Sequence, residues 1–280
     1  MFLLARGVVG LLKPLFDHVS AGASGIGWLD RDTVEPTRKI TNILIWIFAL
    51  VMAYPYLPGA HTEAFKGMSV LIGLMVSDGR LALDSPAPVP AWSQPGDPRG
   101  EITLRNLLQM TSGLEHSEDG PPLYAADTVR MIFTDGAQDM AAFAEAKPIA
   151  HPPGSRFVYS TADTQILADL MTRMLTGSNQ ADVRRAAMTE FLRGRLVTPV
   201  SLYSLTPEFD ARGTMIGGAM LHMTTRDYAR FGQFLLQRGR MDGRQILSAR
   251  WVDFMTRPSA RNPAYGGSVW LNREGADNLL

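Results

Sequence analysis

The chain has no cysteine, few lysines and no surplus of charge of either sign, and each shortage closes off a class of function. Without cysteine in 280 residues there is no disulfide, no thiol nucleophile and no cysteine-held zinc. Such a chain suits any compartment, the periplasm included. Lys and Arg number 27 against 27 Asp and Glu, so nothing points to nucleic acid or an acidic polymer as partner. The adjacent Arg184 and Arg185 read as a solvated helix face. The histidines, His18, His61, His116, His151 and His222, show no metal-ligand spacing and read as structural or exposed. No Gly-x-Ser-x-Gly elbow and no phosphate-binding loop occurs, and GASGIG at 22–27 lacks the context of a dinucleotide fingerprint. No cofactor and no metal is therefore expected. Glu115, Glu118 and Asp119 read as a solvated acidic loop.

What is present changes character along the chain. Residues 1–77 are dominated by apolar runs, and residues 78–280 are an ordinary globular mixture. MFLLARGVVGLLKPLF is interrupted by Arg6 and Lys13 and is followed by no small-x-small cleavage site, so it reads as an amphipathic interfacial helix. Residues 40–57 are apolar but for Thr41, Asn42 and Pro55, about the length that crosses ~30 Å of hydrocarbon. The Arg38–Lys39 flank would then be cytoplasmic; a buried core helix is the alternative. GMSVLIGLMVS is too short to span, and Gly67 and Gly73 would let it approach neighbouring helices closely. Membrane association through this region is expected, at a bacterial inner membrane, with cytoplasm or periplasm as alternatives.

The second region is helix-rich. EITLRNLLQMTSGL places Ile102, Leu104, Leu107 and Leu108 at helical spacing with Gly113 as the stop. A helix is predicted over 125–133, and HPPGSRFVYS reads as a turn and a short extended piece. ADTQILADLMTRMLTG, MTTRDYARFGQFLLQRG and SARWVDFMTRP read as helices, with Thr225 and Ser248 as caps for the last two. Few convincing strands come before SVWLN at the far end.

VSDGRLALDSPAPVPAW, ITLRNLLQMTSGL, PPGSRFVYSTADTQILADLMTRMLTG and IGGAMLHMTTRDYARFGQFLLQRGRMDGRQILSARWV, in that order, resemble the serine β-lactamase and penicillin-binding-protein family. The likeness covers about 77–272 and is closest to the esterase and amidase branch, which includes the 6-aminohexanoate-dimer hydrolases. EPTRKITNILIWIFALVMAYPYLPGAHTEAFKGMSVLIGLMVS, about 29–77, resembles the last membrane helices of small-conductance mechanosensitive channels. The two likenesses meet inside one helix, as in a fusion whose hydrolase part is truncated at both ends. The implied fold is the helix-rich part of an α/β (α+β) serine β-lactamase/transpeptidase-like architecture, with an incomplete antiparallel sheet and N-terminal hydrophobic helices. The implied domains are 1–77 and 78–280.

That family works by acyl transfer: a serine attacks a carbonyl, a lysine three residues on eases removal of its proton, and a tyrosine completes the relay. The lysines here are Lys13, Lys39, Lys66 and Lys147, and three positions before them stand Gly10, Pro36, Glu63 and Ala144. No Ser-x-x-Lys exists. In the family's register the nucleophile falls at Thr62 and the lysine at Phe65, with Glu63 between them. No Lys-Thr-Gly or His-x-Gly is present either, and the sequence ends where the strands carrying that motif are expected to begin. Tyr159-Ser160-Thr161 stands at the family's Tyr-x-Asn position, with Thr161 in place of asparagine. Tyr159 is thus the candidate catalytic residue, a proton relay whose partners are missing; the alternative is a loop tyrosine packed by its ring. The resemblance implies a hydrolase of small ester, amide or peptide-like substrates that is inactive here. A membrane protein related to the channels, or a non-catalytic binding or scaffold protein, are the competing readings.

Overall fold

In the computed structural model the run read as a membrane crossing is a helix, α1, over Val34–Ala53. The structure describes residues 10, 12–14, 16–19, 33–53, 64–219 and 221–271, with the backbone alone at 44, 47–53 and 64–66. Glu35, Pro36, Arg38 and Lys39 fill the first turns of α1. Its apolar part is left with residues 40–53, roughly 21 Å at ~1.5 Å per residue, against ~30 Å of hydrocarbon. No helix among the described residues is long and apolar enough to cross a membrane, which corrects the expected N-terminal membrane helices. Phe16, Val19 and Val34 form a small apolar cluster, and Arg38 reaches Glu35 at 2.9 Å and Asp17 at 3.5 Å. The GASGIG loop, His61, residues 54–60 and most of the first apolar run lie outside the described residues.

The chain divides into two compact units, Met1–Glu63 and Ala64–Leu280. The second unit opens with α2, Ala64–Ser77. Every residue of α2 from Gly67 to Met75 is buried, and the helix packs within the main apolar core of the second unit. Trp251 explains the glycine: a Cβ on Gly73 would stand 2.3 Å from the indole Nε1, and that nitrogen donates to the Ser69 carbonyl at 2.9 Å. Glycine here does allow close approach, but to a tryptophan of the same globular unit. The apolar run is hydrophobic all round because it is enclosed all round.

The remaining helices follow the expected segments with shifted ends. α3 covers only Leu104–Leu108, opened by a reciprocal capping box between Thr103 and Asn106. It stops before Gly113 because Met110 takes a left-handed conformation at φ 55°. Gly113 serves the next turn, where φ is +80° and a Cβ would lie 2.0 Å from the His151 carbonyl oxygen. α4 is Asp127–Phe133, α5 Met140–Glu145 and α6 Thr161–Leu175. α7, Ala181–Leu192, continues through a π-helical stretch, Arg193–Val197, into a last turn, Thr198–Val200. α8 is Thr225–Leu236, capped by Thr224 rather than Thr225, since the Thr224 hydroxyl accepts from the Asp227 amide. α9 is Ala249–Thr256, capped by Ser248 as expected.

Sheet is sparse among the described residues. β1, Thr206–Pro207, pairs antiparallel with β2, Leu221–His222, and β3, Arg240–Met241, with β4, Arg244–Gln245. The segment expected as a strand holds only a bridge between Tyr265 and Trp270. The core is therefore helical, with α2, α3, α4, α5 and α7 packed on α6, whose residues 161–172 are all buried.

Gly73→Ala is expected to destabilise the protein by about 1–3 kcal/mol, because the new methyl must displace the Trp251 ring. Gly177→Ala, which meets nothing within 4 Å, should stay within about 0.5 kcal/mol of the parent. Urea unfolding of both variants checks the contrast.

Candidate functional site

Tyr159, Ser160 and Thr161 sit where an extended segment enters α6. That segment is held by backbone bonds: His151 N and Ala150 N donate to the Gly113 carbonyl, Gly154 N to Thr111 and Val158 N to Met110. Ser160 is the N-cap of α6, its hydroxyl accepting from the Asp163 amide. The three residues are thus fixed by the α3–Gly113 turn on one side and the helix N-terminus on the other.

Thr161 does not face an open cleft. Its amide donates to Glu118 Oε2 at 2.8 Å and its hydroxyl bonds Glu118 Oε1. Glu118 Oε2 also accepts from the Thr128 hydroxyl at 3.0 Å and meets His116 Nε2 at 2.9 Å. Burial works to raise the Glu118 carboxyl, but the bonds from His116 and Thr161 outweigh it and hold the group below its ordinary value. A carboxylate at a helix N-terminus is further favoured by the helix dipole. This corrects the reading of Glu118 as part of a solvated loop. Glu115 and Asp119 are exposed as expected, while Glu118 turns inward to satisfy the first turn of α6. The run Glu-His-Ser-Glu carried no motif that could have shown this, since the partner lies 43 residues away.

The nearby serines bond a carboxyl and not a lysine. Ser112 Oγ donates to Asp163 Oδ1 at 2.8 Å, and Ser160 Oγ to the same atom at 3.4 Å. Both serines are buried, and Asp163 is fully enclosed. Burial pushes the Asp163 carboxyl up to about 8, the serine bonds opposing it only in part. Its Oδ2 has no hydrogen-bond partner, as suits a carboxyl that is neutral near pH 7.

Tyr159 packs by its ring. Its centroid is 5.6 Å from that of Trp270 and 6.2 Å from Tyr265, the latter edge-on at 87°. Phe157 and Met110 complete the cluster. Burial, with the Glu118 charge adding to it, holds the phenol well above its ordinary value. A phenol so placed stays protonated at neutral pH and can donate a hydrogen bond but is no ready base.

The lysine question divides. Lys147 is paired with Asp127 and stands 4.6 Å from the Phe143 ring centroid, a structural role. Thr62 and Glu63, and the side chains of Phe65 and Lys66, lie outside the described residues. Of the histidines, His116 has a fully buried side chain in the Glu118 network, His151 meets Arg156 at 3.2 Å and His222 meets Glu208 at 2.8 Å. No group of three or more acidic or histidine side chains that could hold a metal occurs among the described residues.

The beta-lactamase family profile matches residues 68–276. The chain belongs to the beta-lactamase family. Its match begins inside α2, and nothing in the comparisons supports the channel likeness over 29–77. An uncharacterized protein of Mycobacterium tuberculosis is 26% identical over 212 residues, covering 65% of this chain and 51% of that protein. The chain thus spans about half the length of the curated relatives it matches. Among solved structures, a Bacillus anthracis protein provisionally described as a 6-aminohexanoate-dimer hydrolase aligns with a TM-score of 0.58 at 24% identity, over 73% of this chain and 56% of that one. The D-amino acid amidase of Ochrobactrum anthropi aligns with a TM-score of 0.51 at 17% identity, over 77% and 66%. At these identities the likeness establishes the fold, a beta-lactamase/transpeptidase-like one that is helix-rich with small antiparallel ladders.

A pH dependence follows from Asp163. Its folded value, about 8, lies above the unfolded value of ~4. The stability its neutral form contributes is full below ~pH 4 and is lost as pH rises through about 8, at up to ~1.4 kcal/mol per pH unit. Thermal unfolding from pH 5 to 9 should show the decline, and Asp163→Asn should flatten it; an unchanged slope in the variant would remove Asp163 as its cause.

Proposed function

We propose that this chain is a beta-lactamase-family domain of the ester- and amide-hydrolase branch that does not itself carry out acyl transfer. The observation that carries this reading is internal to the chain: none of its four lysines, Lys13, Lys39, Lys66 and Lys147, has a serine three residues before it. The geometry around Tyr159 supports it. Thr161 is bonded to Glu118, Ser112 and Ser160 are bonded to Asp163, and the Tyr159 phenol is held in its protonated form. Small esters, amides or peptide-like molecules are the class such a domain would meet, as substrates of active relatives or as ligands here.

Incubation with a penicillin, a p-nitrophenyl ester and a fluorophosphonate, followed by intact-mass spectrometry, is expected to show no covalent adduct. A stoichiometric adduct on one serine or threonine would overturn the reading. Tyr159→Phe is expected to shift stability by ~1 kcal/mol, the net worth of one hydrogen bond, and to change no turnover.

For location we propose contact with a membrane surface without a crossing. α1 exposes Ile40, Ile43 and Trp46 close to Lys39, the pairing of apolar and basic groups that suits an anionic lipid surface. Membranes from expressing cells should retain the chain at low salt and release it in carbonate at high pH; a chain found only in the soluble fraction at low salt would refute the contact.

A further inference from the structure

At the end of α6 remote from Tyr159, a cleft of about 250 Å³ opens beside the start of α7. Thr161 and Arg173 stand at opposite ends of α6, roughly 18 Å apart at ~1.5 Å per residue, so the cleft is separate from the tyrosine site. Three guanidinium groups line it, those of Arg173, Arg184 and Arg212, against two carboxylates, Asp139 and Asp169.

Arg184 is 6% exposed and is held rigidly. Its Nε donates to the Arg212 carbonyl at 3.0 Å, and its Nη2 to Thr214 Oγ1 at 2.7 Å and to Asp169. Its Nη1 donates to nothing among the described residues. That nitrogen is not sealed in the interior, and Arg184 lines the cleft, so the cleft is its outlet. Arg173 repeats the pattern: Nε bonds Asp169, Nη2 reaches both Glu145 oxygens at 3.3 Å, and Nη1 is left over. Arg212 is half exposed and meets Asp139 through Nε at 3.4 Å. Asp139 and Asp169 are each engaged by arginine, and Glu145 behind Arg173, raised to about 7 by burial, offsets the third guanidinium only in part near neutral pH.

We infer that this cleft binds a small oxyanion, a carboxylate or phosphate group carried on a compact molecule, through the unused Nη1 N–H groups of Arg173 and Arg184 and the guanidinium of Arg212. Guanidinium forks match both oxyanions in geometry. A buried arginine with two of its N–H groups unused is a preorganised donor, because its side-chain entropy has already been lost in folding. Asp139 and Asp169 on the wall exclude a bulky polyanion. The volume, below that of pockets for drug-sized ligands, sets the same limit.

Calorimetric titration of the full chain with sulfate, inorganic phosphate and acetate, at ionic strength matched with chloride, tests the inference. Saturable one-to-one binding of at least one probe is expected, and its preference for phosphate or acetate tells which oxyanion the site favours. Arg212→Gln should weaken that binding at least tenfold, while Arg244→Gln, exposed in the β3–β4 hairpin, should leave it unchanged. The same probe should raise the wild-type unfolding temperature in a saturating manner, a readout that needs no variant to fold. Absence of saturable binding by all three probes, or equal affinity in wild type and a folded Arg212→Gln, overturns the inference.

Discussion

The enclosure of α6 is the constraint on which the rest of the second unit depends. Twelve successive residues of this helix are buried, among them Asp163, Thr164, Gln165, Asp169 and Thr172. Buried polar groups are tolerated only when bonded: Thr164 and Thr172 bond the Thr161 and Ala168 carbonyls of the helix itself, and the other three recruit partners from outside it. Asp163 takes Ser112 and Ser160. Gln165 accepts from the Gly217 amide and donates to the Met215 carbonyl. Asp169 takes Arg173, Arg184 and Thr214. The helix is thereby pinned at three levels to the α3 turn, the 214–217 segment and α7. Burial without a full complement is visible too: Glu145 gets only the longer contacts to Arg173, and burial together with the Asp169 and Asp139 charges raises it to about 7.

The same pinning decides what the tyrosine end of α6 can do. Helix N-terminal amides and a hydroxyl next to a tyrosine would suit chemistry if they faced a cleft. Here Glu118 occupies them, with His116 and Thr128 behind it. The serines beside them hold the foot of the helix through a carboxyl that is itself neutral near pH 7. The arrangement is a structural network of buried, bonded groups around the first turn of α6. Tyr159 joins it through ring packing with Trp270 and Tyr265.

The opposite end of α6 differs in one respect. Asp169 faces two arginines and cannot take all of their donors, so guanidinium N–H groups of Arg173 and Arg184 are left over where the surface is concave. Surplus donors on a rigid, nearly buried side chain are what separates that cleft from the exposed surface pairs elsewhere, such as Arg238 with Asp253, whose net worth is small.

Much was legible in the sequence. Its ordered segments carry the family, its periodicities locate α6, α8 and α9, and Ser248 as a cap follows from local chemistry alone. The absence of Ser-x-x-Lys is likewise a property of the sequence. The tertiary structure decided the rest. Hydropathy cannot tell a helix enclosed by lipid from one enclosed by protein, and only Trp251 against Gly73 shows which enclosure α2 has. An acidic loop reads as solvated until a helix N-terminus distant in sequence claims one of its carboxylates, as Thr161 claims Glu118. Arg184 read as a solvated helix face, and became the floor of a cleft because Asp169 and Thr214 converge on it. Each of these outcomes rests on contacts between residues distant in sequence, which local pattern does not encode.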